Sequence, residues 1–429
     1  MGNKYDEIGN LNSINGNWEQ TLVYKFFDKD SKESISTELT SGGSPLAVTP
    51  YDELVTINKT TLIELKSIYG ISDLRDDIIK TGDGDVTNNL REFELNISGT
   101  SSTARISSRE RGRYISGKSA EYGIGIRTSV SSVSGDTEFK WGALNDTNGM
   151  YFGMDSDGLY VAILDDGDEL KIYQENWNVD RLDGTGLSGE NLDTTSGNIF
   201  NVIFSWYGYG TIDYVVKVKT EDGIKNIVCH RYIVDDKTSV QNPNLPISAL
   251  VEQTTSSNDV SIFLGGRQFS VLGSYTPSYR VTSDYVLNKS VPTLSTNPTP
   301  IMAFKQKSLM RAVNGKFSGI DISTNNQIIF EIYISDESQL TGASWETPTR
   351  KLPGETAFEV DKSATAFDIT DGNILYRDFV EGGQGKRRVQ RDIGELLVDI
   401  PEGKILVVTA FATESTASVD TLTRIREEW

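Results

Sequence analysis

The chain has 429 residues, which at about 150 residues per domain predicts two to three domains. It contains 61 Asp and Glu against 41 Lys and Arg, and the resulting formal charge of −20 disfavours a general nucleic-acid binder, because neutralising phosphates requires excess Lys and Arg. One cysteine and one histidine exclude a disulfide framework, a zinc site with two or more thiolates and a His-rich metal centre. We therefore expect neither a metal ion nor a cofactor.

The N-terminal sequence carries no targeting signal that we can identify. No basic segment followed by an apolar core opens the chain, so a secretory signal is not expected. No window approaches 18 consecutive apolar residues, so we expect no membrane insertion. These features predict a protein that is made in a cytoplasm.

Residues 1–50 are polar, rich in Asn, Ser, Gly and Asp, and predict an extended N-terminal arm. Residues 51–90 are more apolar and predict a connector made of a strand and a helix. The strand falls at 62–65, and a short helix capped by Ser72 is expected over 72–79.

Residues 91–288 alternate between apolar and polar positions, as β-strands do. Asp-Gly pairs at 157–158, 166–167 and 222–223 predict tight hairpins between such strands. A series of hairpins without helical periods predicts a large antiparallel β-sandwich of the jelly-roll or lectin-like kind.

A Pro-, Ser- and Thr-rich stretch at 287–300 predicts a linker. Residues 289–429 again show strand patterns and predict a smaller, Ig-like sandwich. The expected fold class is thus all-β, with two antiparallel sandwiches after the N-terminal arm.

Several motifs that suggest catalysis or ligand binding do not have the context that such chemistry needs. The letters GxGxxG at 184–189 lack a preceding apolar strand and a following helix, so we expect a tight loop. Cys229 and His230 are adjacent in a strand, where successive side chains leave opposite faces, so a thiol–imidazole dyad is not expected. The sequence from Asp155 lacks the ligands of an EF-hand loop, although a surface calcium ion at 165–168 stays open. No carboxylate pair is singled out for glycoside hydrolysis.

Two arginine-rich strips and one aromatic run are candidate contact surfaces. The strips are Arg105–Arg113 and Lys386–Arg391, which could dock an acidic partner or a sulfated or sialylated glycan, or could simply protect an exposed edge with charge. The run Trp206–Tyr209 could stack on a sugar ring or belong to a core or interface.

Five separated blocks resemble a family of tailed-bacteriophage virion structural proteins of the fibre, spike or baseplate type. The most specific is Trp177-Asn-Val-Asp-Arg-Leu-Asp-Gly-Thr-Gly-Leu-Ser-Gly189. The others are 62–76, 108–126, 198–210 with His230, and 242–246; the C-terminal part resembles the β-rich module that commonly follows.

This resemblance implies a non-enzymatic virion protein, docked to a tail, baseplate or capsid neighbour through its N-terminal region and acting in assembly or host attachment. It implies a homo-oligomer, with a trimer as the expectation, and no catalytic residues. The alternatives are a lectin-like module that binds host surface glycans and a glycan depolymerase. The candidate contact residues are Trp177, Asp180, Asp183, Trp206, Tyr207, Tyr209, Arg109, Arg111 and Arg113.

Overall fold

The computed structural model describes residues 25–27, 34–36, 40–41, 44–45, 59–220, 223–234, 239–276, 278–293, 297–308, 313–370, 372–383, 387–392 and 398–429. Its regular structure consists of antiparallel β-sheets with a few short 3₁₀ turns, which confirms the all-β prediction. Within the described part of the chain, no helix combines the length and the apolar character needed to cross a membrane.

The strands of the first half are β1 (Lys25–Phe27), β2 (Ser34–Ser36), β3 (Thr40–Ser41), β4 (Ser44–Pro45), β5 (Thr60–Leu65), β6 (Asp76–Thr81), β7 (Asp85–Asn88), β8 (Phe93–Ile97), β9 (Ser102–Arg111), β10 (Ala120–Thr128), β11 (Glu138–Leu144), β12 (Gly149–Asp155), β13 (Gly158–Asp165), β14 (Asp168–Tyr173), β15 (Asn198–Phe204), β16 (Ile212–Thr220), β17 (Gly223–Tyr232), β18 (Pro246–Gln253) and β19 (Val260–Val271). The 3₁₀ turns are Ser67–Tyr69, Gln174–Asn176 and Glu337–Gln339.

The remaining strands are β20 (Tyr279–Val291), β21 (Thr299–Gln306), β22 (Asn314–Thr324), β23 (Ile328–Asp336), β24 (Leu340–Thr341), β25 (Phe358–Asp361), β26 (Ala366–Phe367), β27 (Asn373–Val380), β28 (Arg387–Asp392), β29 (Val398–Asp399), β30 (Lys404–Ala412) and β31 (Ala417–Glu428).

The first sandwich consists of two facing sheets. One has the order β17-β16-β15-β10-β19-β8-β7, with β5 also paired to β19, and the other has the order β14-β13-β12-β11-β18-β9-β6. Alternate side chains of each strand point into the space between the two sheets. In β11, Phe139, Trp141 and Ala143 are buried in the shared core, whereas Glu138 and Lys140 lie on the outer face. Apolar alternation therefore dictates which face of each strand is buried.

The second sandwich has its own core and its own pair of sheets. The orders are β20-β31-β22-β28, with β29 also paired to β22, and β25-β21-β30-β23-β27. Its buried core includes Phe304, Phe330 and Ile425. β31, at the end of the chain, is the central strand that joins β20 to β22.

The helix expected over 72–79 is wrong, because Asp76–Thr81 is the strand β6, paired with β9. Ser72 closes a turn instead: its carbonyl oxygen accepts the N–H groups of Arg75 and Asp76, at 2.9 and 2.7 Å. Pairing with a strand some thirty residues later outweighs the local helical spacing, as tertiary context commonly does. The strand expected at 62–65 is confirmed as part of β5.

The hairpins predicted at 157–158 and 166–167 are confirmed, since they join β12 to β13 and β13 to β14. β16 and β17 meet at Gly223, whereas Asp222 lies outside the described residues. Of the linker expected at 287–300, residues 287–291 belong to β20, and 289–291 are paired with the distant β31, so that part of the linker prediction is wrong.

The sheets cross the predicted domain boundaries. β5, β6 and β7, which fall in the expected connector at 51–90, lie in the sheets of the first sandwich. β20 spans the boundary expected at residue 288 and lies wholly in a sheet of the second sandwich. Most of the expected arm, residues 1–50, lies outside the described residues.

Candidate functional site

The segment 177–192, called the motif loop below, folds against the edge strand β17. The indole N–H of the buried Trp177 donates to the carbonyl oxygen of Ile172 at 3.1 Å. The backbone N–H of Asp180 donates to the carbonyl oxygen of Cys229 at 3.1 Å. Residues 177 and 180 of the motif loop are thus both hydrogen-bonded to the first sandwich.

The two candidate carboxylates of the motif loop hold its shape. Asp180 is buried, and its two oxygens accept the backbone N–H groups of Leu182 and Ser188 at 2.9 and 2.7 Å. Asp183 is exposed and accepts both the hydroxyl and the backbone N–H of Thr185; these hydrogen bonds lower the pKa of its carboxyl group. Both side chains are engaged in the loop itself.

The GxGxxG letters form a tight loop, as expected. Gly184 and Gly189 have positive φ angles of 84° and 69°, and Asp183 forms an isolated bridge with Asn191. The segment neither follows a strand directly nor precedes a helix, so the strand–turn–helix of a dinucleotide site is not formed.

Cys229 and His230 both have structural partners. The register of β17 against β16 shifts at this point, and the buried Cys229 thiol donates to the carbonyl oxygen of Tyr214 at 3.2 Å. His230 Nδ1 accepts the backbone N–H of Asn178 at 3.3 Å, which links β17 to the motif loop. Burial raises the pKa of the Cys229 thiol and lowers the pKa of His230.

Residues 206–210, called the aromatic turn below, connect β15 to β16. Trp206 is half-buried, and its indole N–H donates to the carbonyl oxygen of Val240 at 2.9 Å. The N–H of Ser239 donates to the carbonyl oxygen of Gly208 at 3.1 Å. Tyr209 at the tip is 74 % exposed. The turn is therefore held from two sides while one ring projects outward.

Tyr207 is in the left-handed region, with a φ angle of 40°, and is 57 % exposed. Such a conformation costs roughly 1–2 kcal/mol for a residue with a Cβ atom. The N–H of Tyr207 donates to the hydroxyl oxygen of Tyr114 at 3.3 Å, and the two rings lie edge to face, 6.4 Å apart. This strained backbone presents an aromatic ring on a fixed support.

Arg109 and Arg111 lie at the junction of the two sandwiches. Arg109 donates to the carbonyl oxygens of Asp73 at 2.5 Å and Glu402 at 3.3 Å, and Arg111 forms an ion pair with the Glu402 side chain. They connect the sandwiches, a role that the charge pattern alone does not reveal because Glu402 is almost 300 residues away.

The other arginines of the first strip lie elsewhere. Arg105 forms an ion pair with Asp146, and the buried Arg113 donates to the hydroxyl oxygen of Tyr275 at 2.6 Å. The structure therefore does not gather the strip into one basic surface. Of the second strip, residues 387–391 belong to β28, and Lys386 lies outside the described residues.

A charged cluster on the outer face of the first sandwich was not predicted. Glu138 is contacted by Lys140 at 3.0 Å and by Lys171 at 2.5 Å, and the Tyr160 hydroxyl donates to it at 2.5 Å. Burial alone would raise the pKa of Glu138, but these three partners outweigh it and lower the pKa. Burial raises the pKa of Glu252, against the opposing effect of Lys140. Strand register brings these residues together, and a single sequence carries no signal for that register.

The acidic residues of the hairpin ends have protein partners. Asp155 contacts Lys171 at 2.9 Å, and Asp165 accepts the backbone N–H of Gln241 at 2.6 Å. Among the described residues, no group of three or more His, Cys, Asp or Glu side chains has an arrangement that could hold a metal ion.

Comparison with known proteins finds no matching family model and no curated protein that matches in sequence. Similar solved structures include peanut lectin with a bound peptide, 13 % identical, covering 51 % of this chain and 100 % of that chain, with a TM-score of 0.32. A legume lectin-like domain from Entamoeba histolytica is 10 % identical, covering 46 % of this chain and 89 % of that chain, with a TM-score of 0.28.

A carbohydrate esterase from the Shiga toxin-encoding bacteriophage phi24B is 11 % identical, covering 51 % of this chain and 100 % of that chain, with a TM-score of 0.29.

Proposed function

We propose that this protein is a structural component of a bacteriophage particle. It is displayed on the tail, the baseplate or the head, is docked through its N-terminal region, and acts in assembly or host attachment. The proposal includes a homo-oligomeric state and the absence of enzymatic activity.

The observation that carries the proposal is that the sequence blocks resembling virion proteins contact one another in the fold. The N–H of Tyr114 donates to the side-chain oxygen of Asn244 at 2.7 Å, and the N–H of Gly112 donates to the carbonyl oxygen of Leu245 at 2.9 Å. Blocks separated by about 130 residues thus hold each other in place, which supports a shared architecture as the source of the resemblance.

The roles of the motif residues support a non-catalytic function. Asp180 is buried and accepts two backbone N–H groups, and His230 accepts one from the motif loop. A general acid or base must reach its substrate with a proton to exchange. These two groups are instead committed to holding the loop against the sheet.

The first test is immunogold electron microscopy of intact particles with an antibody against this chain. Label on the tail tip or fibres supports an attachment role, and label over the capsid or at its vertices supports a head decoration. Particles that carry no label, while an antibody against a known coat protein marks them, contradict the proposal.

A second candidate function, glycan binding, is favoured by the aromatic turn. Tyr207 and Tyr209 are both exposed, Tyr207 on a strained backbone, and flat aromatic rings are suited to stacking on a sugar ring. A glycan array with the full chain tests it, using Tyr209→Ala as the variant and Tyr69→Ala, at a tyrosine that is 66 % exposed, as the matched control. Loss of binding in the first variant alone supports the function, and equal binding by both assigns the glycan to another surface.

Glycan depolymerisation is distinguished from binding by incubating the full chain with host capsule or lipopolysaccharide. Release of reducing ends above the level given by heat-denatured protein would contradict the non-enzymatic proposal.

A further inference from the structure

β20 is an edge strand with an unusually long free side. It spans 13 residues and pairs only with β31 among the strands that the structure describes. The register shifts between Val286 and Lys289, and Asn288 has a positive φ angle of 55°, so the regular part runs from 279 to 287. A regular edge of this length presents unpaired backbone groups to which another strand can add.

The outward side chains of this edge form an apolar row. Tyr279 is 54 % exposed, Val281 45 %, Tyr285 44 % and Leu287 60 %, with the exposed Ser283 at the centre. Of the features by which natural edge strands discourage pairing, β20 has the inward-pointing Asp284, whereas its lysine, Lys289, lies beyond the apolar row.

The row continues into a shallow groove on the outer face of the same sheet. The groove has a volume of about 330 Å³ and is lined by Tyr285, Leu287 and Leu422 together with polar residues, among them Asp321 and Asp420.

The row has the same apolar pattern in both directions, with two apolar residues on each side of Ser283. If a second copy of the strand lies antiparallel about a two-fold axis at Ser283, Tyr279 lies opposite Leu287 and Val281 lies opposite Tyr285. Every apolar residue of the row then meets an apolar residue. Self-complementarity of this kind is what a two-fold symmetric interface requires.

Charge favours the same arrangement. Asp284 is the one carboxylate in residues 279–287; it is 1 % exposed and accepts the N–H of Thr349 at 2.8 Å, so the outward row has no negative charge although the chain has a net charge of −20.

We infer that β20 joins two copies of this chain edge to edge, with the axis at Ser283 and a single sheet continuing through both second sandwiches. This inference specifies the proposed homo-oligomer as a two-fold dimer in place of the trimer that the resemblance implies, and it does not depend on a phage particle.

Sedimentation equilibrium of the full chain and cysteine cross-linking test it together. Ser283→Cys places a thiol opposite its own copy, at a Cα separation of about 5 Å, which suits a disulfide. Ser290→Cys, at another exposed position of β20, is the control, because its two copies would be roughly 45 Å apart. The native Cys229 is buried and is present in both variants, so any cross-linking through it would be the same in both.

We expect a dimer that becomes covalent on mild oxidation of Ser283→Cys but not of Ser290→Cys. We also expect Val281→Lys to raise the dimer dissociation constant by about tenfold or more, because a charge is buried against an apolar partner. Ile224→Lys, at a 71 % exposed position of the edge strand β17, should leave it unchanged. A monomer or a trimer in solution, equal cross-linking of both cysteine variants, or equal effects of the two lysines would overturn the inference.

Discussion

Glu138 and Glu252 lie directly opposite each other on the neighbouring strands β11 and β18, and their pKa values shift in opposite directions. Glu138 has two lysines and a tyrosine as partners, whereas Glu252 contacts Lys140 at the longer distance of 3.7 Å. The charged form of Glu138 thus stabilises the outer face, whereas the charged form of Glu252 is disfavoured there.

Glu252→Gln should raise the free energy of unfolding at pH 7 by about 0.5 kcal/mol, because it removes a like charge directly opposite Glu138. A raised carboxyl pKa means that the folded state binds more protons, so stability falls as pH rises from about 4.5 through the folded pKa of Glu252. The Glu252→Gln variant should not show this decline of stability with rising pH. Urea unfolding across pH 4–8 measures both effects.

Glu138→Gln is the matched comparison and should lower stability, since Lys140, Lys171 and Tyr160 lose a charged acceptor. Its lowered pKa contributes stability that is present above the ordinary value near 4.5 and lost as pH falls through the folded pKa. Equal changes in the two variants would contradict the assignment.

His230 should make the motif loop sensitive to acid. Its pKa is lowered by burial, so the unfolded state binds more protons and stability falls as pH drops below about 6.5. Protonated Nδ1 cannot accept the Asn178 N–H, so hydrogen-exchange protection factors, which correct for the intrinsic pH dependence of exchange, should fall first in residues 177–189. The measurement is exchange at pH 7.5 and pH 5.5, with His230→Gln as the variant that should lose the difference. A pH response of the same size in that variant would rule out His230 as its source.

The strain at Tyr207 predicts an unusual order of stabilities. Tyr207→Gly and Tyr207→Ala both remove the ring, but only glycine relieves the left-handed backbone. The glycine variant should therefore be more stable than the alanine variant by about 1 kcal/mol, as measured by thermal unfolding. An alanine variant of equal or higher stability would show that the turn relaxes at this position.

The junction between the sandwiches should depend on Leu74, which is half-buried against the core of the second sandwich although it precedes β6 of the first. Leu74→Ala should destabilise the chain by about 1 kcal/mol, because a partly buried apolar contact is lost. Leu187→Ala, at a 94 % exposed position, is the control and should change little. Calorimetry is the measurement, and indistinguishable transitions for the two variants would refute this role of Leu74.

The predicted docking role of the N-terminal region is tested by deletion of residues 1–45. We expect a soluble body with an unchanged β-sheet circular dichroism spectrum that no longer joins particles in a complementation assay. Normal incorporation of the truncated chain would assign docking to another surface.

The sequence itself determined the all-β class, the hairpins at two Asp-Gly pairs and the inward faces of strands such as β11, because alternation with a period of two and turn chemistry are local properties. It left open whether the rings of Tyr207 and Tyr209 are exposed or buried, which the structure decides in favour of exposure.

Only the tertiary structure decided which strands meet. β31 pairs with β20 across more than a hundred residues, Arg109 and Arg111 reach Glu402, and Glu138 faces Glu252. The same long-range pairing turned the expected helix at 72–79 into β6. A strand's own residues specify which face is buried but not its neighbour, because the choice of neighbour depends on the packing of the whole core.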